Sequence, residues 1–189
     1  MKDFAHVPIF SADDLDRWLE AHHAQRESVF LERLKKAEGE GYVPYEQVVR
    51  TCLRWGWIDS HVRKLDERRS LLLISPRRKG SPWSRANKTH IAALRKAKAI
   101  MPPGQAVIDR AKADGSWSVY DEVEDLVVPP DLAAALKRHK ARANWDDFSP
   151  SSRKGILWWI KSAKRQATRE RRVEDTATKA AQGIKANGA

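Results

Sequence analysis

Trp57-Ile58-Asp59-Ser60-His61-Val62-Arg63-Lys64-Leu65 and Ser70-Leu71-Leu72-Leu73-Ile74-Ser75, separated by Asp66-Glu67-Arg68-Arg69, decide the fold. The second run is almost continuously apolar, as in a strand buried on both faces. The first alternates more loosely, with apolar residues at 58, 62 and 65. The charged tetrapeptide between them reads as a turn tip, so the pair is expected as an antiparallel hairpin. Val29, Leu31 and Leu34 alternate similarly and supply a third strand over 28–34.

The hairpin is preceded by helical signals. Val7 to Phe10 is a short apolar run ended by Ser11, an N-cap with Asp13 and Asp14 in the first turn; Leu15, Trp18 and Leu19 then mark a helix over 12–23. The terminal His22-His23 pair projects about 100° apart and suits the helix dipole better than a metal. Pro44 opens a second helix through Val48, Val49, Cys52 and Leu53, stopped by Gly56. From Ser84 onward the pattern is helical: Ile91 and Leu94, Ala106 to Ala113, Asp131 to about His139, a helix capped by Ser149-Pro150, and a last one with Val173, Ala177, Ala180 and Ile184 on one face. The expected fold is α+β, a small antiparallel sheet packed by helices, with an all-helical C-terminal half. One domain is expected over 1–189, comprising an α+β part (1–83), a helical part (84–183) and a flexible tail (184–189).

The charge is +11, from 36 Lys and Arg against 25 Asp and Glu. Residues 1–47 hold six cations and ten acids, so they carry −4 and the remainder +15. Such asymmetry fits a face offered to an anionic ligand or nucleic acid, or a merely soluble basic surface. Cys52 is the only cysteine, which excludes an internal disulfide and a cysteine-based zinc cluster. No apolar run approaches the roughly 20 residues of a membrane span, and no secretory leader is visible, so a cytoplasmic protein is expected. No pattern points to a metal or cofactor.

Three constellations carry candidate chemistry. Arg77-Arg78-Lys79-Gly80-Ser81-Pro82-Trp83-Ser84 is a cationic turn leading into a helix, with Lys88 one turn on. Helix N-terminal amides attract anions, and forked guanidiniums add bidentate contacts. The plain alternative is that Ser81 or Ser84 caps the helix, Trp83 packs and the cations are solvated. Trp57 and Trp83 would floor a pocket in an enzyme reading, with Arg77, Arg78 and Lys88 clamping a small anionic substrate. Asp59 would be its only base, although a turn or an ion pair with Arg77 or Arg78 also suits it. His61, two residues on, falls on the same strand face as Asp59. The third constellation is Lys161 to Arg172, with six cations and one acid. If helical throughout, Lys161, Lys164, Arg165, Thr168 and Arg172 share a face, flanked by Arg169. Such crowding calls for acids from elsewhere, such as 121–125, or for a partner.

Gly56-Trp57-Ile58-Asp59, Pro76-Arg77-Arg78 and Ser81-Pro82-Trp83-Ser84 together resemble the bacterial YdeI/OmpD-associated (bacteriocin-protection) family. Ala163-Lys164-Arg165, Thr168-Arg169, Arg172 and Val173 resemble its C-terminal pattern, and the resemblance is read from Phe10 to about Gly183. Ser60, Gln166-Ala167, Thr176 and Ala177 depart from it. The resemblance implies a link to bacteriocin or cationic-peptide resistance. The expected function is a non-catalytic anion-binding stress protein, the alternative an enzyme on a small anionic substrate. A terminal helix folded on the sheet, burying Val173 and Ala177, would join the two cationic groups.

Overall fold

The hairpin forms as β3 (Trp57–Lys64) and β4 (Arg69–Pro76), antiparallel, in a computed structural model that describes residues 4–186. β2 (Val29–Leu34) pairs antiparallel with the other edge of β4, Leu31 opposite Leu72. The apolar run 7–10 yields a fourth strand, β1 (His6–Ile9), parallel to β2. The sheet is therefore mixed, ordered β1-β2-β4-β3, rather than wholly antiparallel. The reason is the connection: α1 (Ala12–His22) carries the chain from the end of β1 back to the start of β2, the kind of crossover that parallel neighbours require. Ser11 caps α1 by accepting the Asp14 N–H, as its sequence chemistry predicts.

One sheet face packs on α1 and α2 (Tyr45–Arg54). Leu15, Leu19, Val48 and Cys52 meet Val29, Leu31, Leu72 and Ile74 there, with Trp55 and Trp57 at the edge. Asp16 ties the two helices by accepting from Arg54 Nη1 and Trp55 Nε1, each at 2.7 Å. The opposite face buries Phe30, Leu71 and Leu73 against Phe4 and Leu65. A further cluster joins Val49 and Leu53 of α2 to Trp83, to Ile91 and Leu94 of α3 (Arg85–Lys96), and to Ile108 and Ala111 of α4 (Pro102–Ala113). Because α3 and α4 bury their apolar faces there, they belong with the sheet. The chain accordingly divides into two compact units, Met1–Val119 and Tyr120–Ala189.

Two glycines fix how α4 docks. A Cβ on Gly104 would stand 2.1 Å from the Arg54 carbonyl oxygen, so only glycine lets the first turn of α4 meet the end of α2. That carbonyl, unpaired within α2, accepts the Met101 N–H at 3.1 Å. Gly56 has φ of +80°, and a Cβ there would lie 2.8 Å from Val107 Cγ2.

The second unit is helical: α5 (Asp121–Glu124), α6 (Pro130–Arg138), α7 (Arg142–Asp147), α8 (Pro150–Lys161) and α9 (Gln166–Ala181). Its core gathers Leu132, Leu136, Trp145, Ile156, Leu157 and Ile160 around Val173, Ala177 and Ala180. Val173 and Ala177, expected against the sheet, thus bury among these helices. Ile184 is instead 51% exposed, because α9 stops at Ala181 and Gly183 turns the chain at φ +71°. Ala186 is buried, and residues 187–189 of the expected tail lie outside the described residues. Helix accounts for 52% and strand for 14% of the described residues, in keeping with α+β.

Trp83, 1% exposed, should cost about 3–5 kcal/mol when truncated to Ala, measured by urea unfolding. Gly104→Ala should also destabilise: overpacking costs about 1–3 kcal/mol, which outweighs the helix-propensity gain of about 1. Arg169 makes a bidentate pair with Asp131 at 2.7 and 3.0 Å. Burial raises the Asp131 pKa, but the Arg169 and Leu132 hydrogen bonds and the Arg169 charge outweigh it and hold the carboxyl below its ordinary value. Its stabilising contribution is therefore present above the ordinary carboxylate range and lost as pH falls through the lowered value. Arg169→Leu should cost a few tenths of a kcal/mol at neutral pH, and the deficit should close on acidification, followed by thermal melts across pH.

Candidate functional site

The cationic turn begins where β4 ends. Arg77 extends the ladder by donating its N–H to Gly56 O at 3.0 Å, and Gly80, at φ +74°, reverses the chain toward α3. Ser84 then caps α3 by accepting from Asn87 N at 3.2 Å, which commits its hydroxyl oxygen to the helix. Arg77 is not the solvated cation its composition suggests: it is 4% exposed, with its guanidinium 3.7 Å from the Trp83 ring centroid. Nη1 donates to Pro82 O at 2.9 Å and Ser81 Oγ at 3.2 Å, while Nε and Nη2 are buried without an acceptor. Burial pushes the Arg77 pKa down to about 10, opposed only by the charge of Asp59. Stacking on Trp83 offsets part of that cost. Arg78 and Lys79 are exposed. Lys88 and Lys112 each hold their ammonium 5.5 Å from the Trp117 ring, itself 4.9 Å from Trp83.

The structure separates the residues of the enzyme reading. Trp57 and Trp83 are both buried, in different core clusters. Asp59 accepts a 2.5 Å hydrogen bond from Tyr45, whose hydroxyl pKa burial and the Asp59 contact push up to about 12. The Asp59 charge reaches Arg77, yet the two form no ion pair among the described residues. His61 does not share the Asp59 face. A register shift between Asp59 and Val62 turns it edge-on to Phe30, on the sheet face away from α2. Cys52 is wholly buried, and desolvation pushes its thiol up. No group of three or more His, Cys, Asp or Glu side chains is placed to hold a metal ion, and no helix is long and apolar enough to cross a membrane, among the described residues.

Beside the turn lies a cleft of about 430 Å³ assembled from the ends of four segments. The loop after α1 brings His23 and Arg26, the end of α2 brings Trp55 and Gly56, the end of β4 brings Arg77 and Arg78, and α4 brings Pro103, Val107 and Arg110. No Asp or Glu lines it. Arg110 Nη2 donates to Arg77 O at 2.9 Å, joining α4 to the turn. Arg26, Arg77, Arg78 and Arg110 form no ion pair among the described residues, whereas Arg17, Arg54, Arg68, Arg69, Arg138 and Arg142 all meet carboxylates. Sequence reading singled out Arg77 and Arg78 but not Arg26, His23 or Arg110. The available signal for Arg110 was its spacing from Pro103 and Val107, which puts all three on one helix face.

In the second unit the basic segment is not one helix. α8 ends at Lys161, Ser162 is its C-cap, and α9 starts at Gln166. The break is required because both helices turn apolar faces to the same core. Acids from elsewhere then take several cations: Glu122 pairs with Lys161 at 2.5 Å and Asp131 with Arg169. Arg172 lies 5.0 Å from the Trp159 ring centroid and donates to Ser162 Oγ at 3.2 Å. Thr168 is half-buried at the first turn of α9. Lys164 and Arg165 are exposed in the turn, without an ion pair among the described residues.

Residues 7–107 match the family model described as a domain of unknown function (DUF8412). Residues 125–183 match the model described as bacteriocin-protection, YdeI or OmpD-associated. The resemblance read from Phe10 onward is thus matched in the helical unit, while the Gly56–Ser84 motifs fall within the other model. No curated protein and no solved structure matches the chain. The chain belongs to the DUF8412 family, whose model spans more than half of its 189 residues, and it carries a bacteriocin-protection, YdeI or OmpD-associated segment in its helical unit.

Proposed function

We propose that the protein is a non-catalytic, cytoplasmic anion-binding protein, acting in the protective role that the description of its C-terminal segment names. The observation that carries this reading is the cleft lined by Arg26, Arg77, Arg78 and Arg110 with no carboxylate. Arg77 turns its guanidinium onto Trp83, but those of Arg26, Arg78 and Arg110, unpaired at one concavity, repel one another, and an anion relieves that repulsion. Asp59, the one candidate base, is engaged by Tyr45 and is not among the residues lining the cleft, which favours binding over catalysis. A cationic peptide would be repelled by the +15 carried beyond residue 47, so protection by direct capture runs against the charge.

Lys164 and Arg165, exposed and without ion pairs, add a second cationic element suited to a phosphate backbone. The purified protein is expected to be retained on immobilised heparin and DNA, and to elute at a salt concentration that falls when Arg26 or Arg78 is changed to Glu. Arg165→Glu should weaken DNA retention without moving the melting temperature. Absence of salt-sensitive retention, together with no response to small anions in thermal-shift assays, would overturn the anion-binding reading.

A further inference from the structure

We infer that the cleft between α1, β4 and α4 binds a small phosphate ester, a molecule of about nucleotide size with a phosphate group and an apolar body. This rests on the anion-binding reading and narrows it to one site and one ligand class. Size comes first. A cleft of about 430 Å³ lies within the range of small-molecule pockets, whereas a nucleic-acid strand requires an extended groove.

Charge comes next. The C-terminal ends of α1 and α2, at His23 and Trp55, border the cleft and each contributes roughly −0.5 of partial charge. The guanidiniums of Arg26, Arg78 and Arg110 outweigh them. A lone carboxylate would leave most of that positive charge uncompensated. A phosphate monoester brings about −1.5 to −2 near neutrality and three acceptor oxygens.

The Lys and Arg side chains lining the cleft are all arginine, and a planar fork suits the spaced oxygens of a phosphate. Arg77 gives the site a fixed anchor. Its guanidinium is locked on Trp83 and donates to Pro82 O and Ser81 Oγ, so what it offers the cleft is its backbone carbonyl, which holds Arg110 in place. The opposite wall supplies the apolar part of the recognition. Pro103 and Val107 share the α4 face with Arg110, so a ligand whose phosphate meets Arg110 lays its body along them. Ser28 and Ser75, hydrogen-bonded to each other at 2.8 Å, place hydroxyls at the same cleft.

The test is isothermal titration of the full chain with phenyl phosphate, inorganic phosphate and benzoate. Phenyl phosphate should bind, phosphate more weakly for want of an apolar body, and benzoate more weakly still for want of charge. Arg26 and Arg78 are exposed, so Arg26→Glu and Arg78→Glu should fold normally and each lower phenyl phosphate affinity by about tenfold or more. Val107→Asp should remove the advantage of phenyl phosphate over phosphate, and Arg165→Glu, in the other unit, should leave both affinities unchanged. Phenyl phosphate binding that ignores Arg26 and Arg78 would overturn the location. Retention on heparin without any small-phosphate binding would overturn this inference while leaving the broader reading in place; failure of both would overturn the two together.

Discussion

The N-terminal unit depends on one close approach, the first turn of α4 against the last turn of α2. Gly104 has no side chain to hold the helices apart, and the Arg54 carbonyl left over at the end of α2 is satisfied by the Met101 N–H. Once α4 is seated there, Val107 covers Gly56 and Arg110 reaches the Arg77 carbonyl. The same seating brings Ile108 and Ala111 onto Trp83, which in turn supports the buried guanidinium of Arg77. Backbone contact, aromatic packing and the cationic cleft are therefore consequences of a single docking geometry.

The two units handle positive charge differently, and net charge alone would not have shown it. In the helical unit acids lie where cations accumulate: Glu122, Asp131 and Glu174 meet Lys161, Arg169 and Arg138. Those pairs are partly exposed and individually weak, and Lys137, Lys140, Lys164, Arg165 and Arg171 form none among the described residues. In the sheet-bearing unit several acids of residues 1–47 are engaged elsewhere, Asp14 with Arg17, Asp16 with Arg54, Glu32 with Arg69. The arginines gathered around the cleft come from segments that bring no acid to it.

Features set by local chemistry were legible in the sequence. The Ser11 and Ser84 caps, the Ser149-Pro150 helix start, the β3–β4 hairpin and the α+β class all follow from residues within a few positions of one another. What needed distant partners was not. β1 read as a mere apolar run because its partner strand is more than 20 residues away. α4 read as part of a helical half because nothing local marks Gly104 as a contact point rather than a helix weakness. Arg77 read as a surface cation because its burial depends on Trp83 and on a turn that closes over it. The basic segment read as one stripe because its break is imposed by the core beneath α8 and α9, not by its own residues.

The register shift in β3 has a consequence beyond turning His61 away from Asp59. β3 is an edge of the sheet, and a regular edge offers a row of unpaired N–H and C=O groups to any other extended chain. Between Asp59 and Val62 the strand is irregular, and the half of it that follows carries Arg63 and Lys64. The opposite edge, β1, is only four residues long and includes Pro8, which has no N–H to donate. Both margins are thereby blunted against strand addition, so self-association by sheet extension is disfavoured even though Val62 leaves an apolar side chain 58% exposed on the rim.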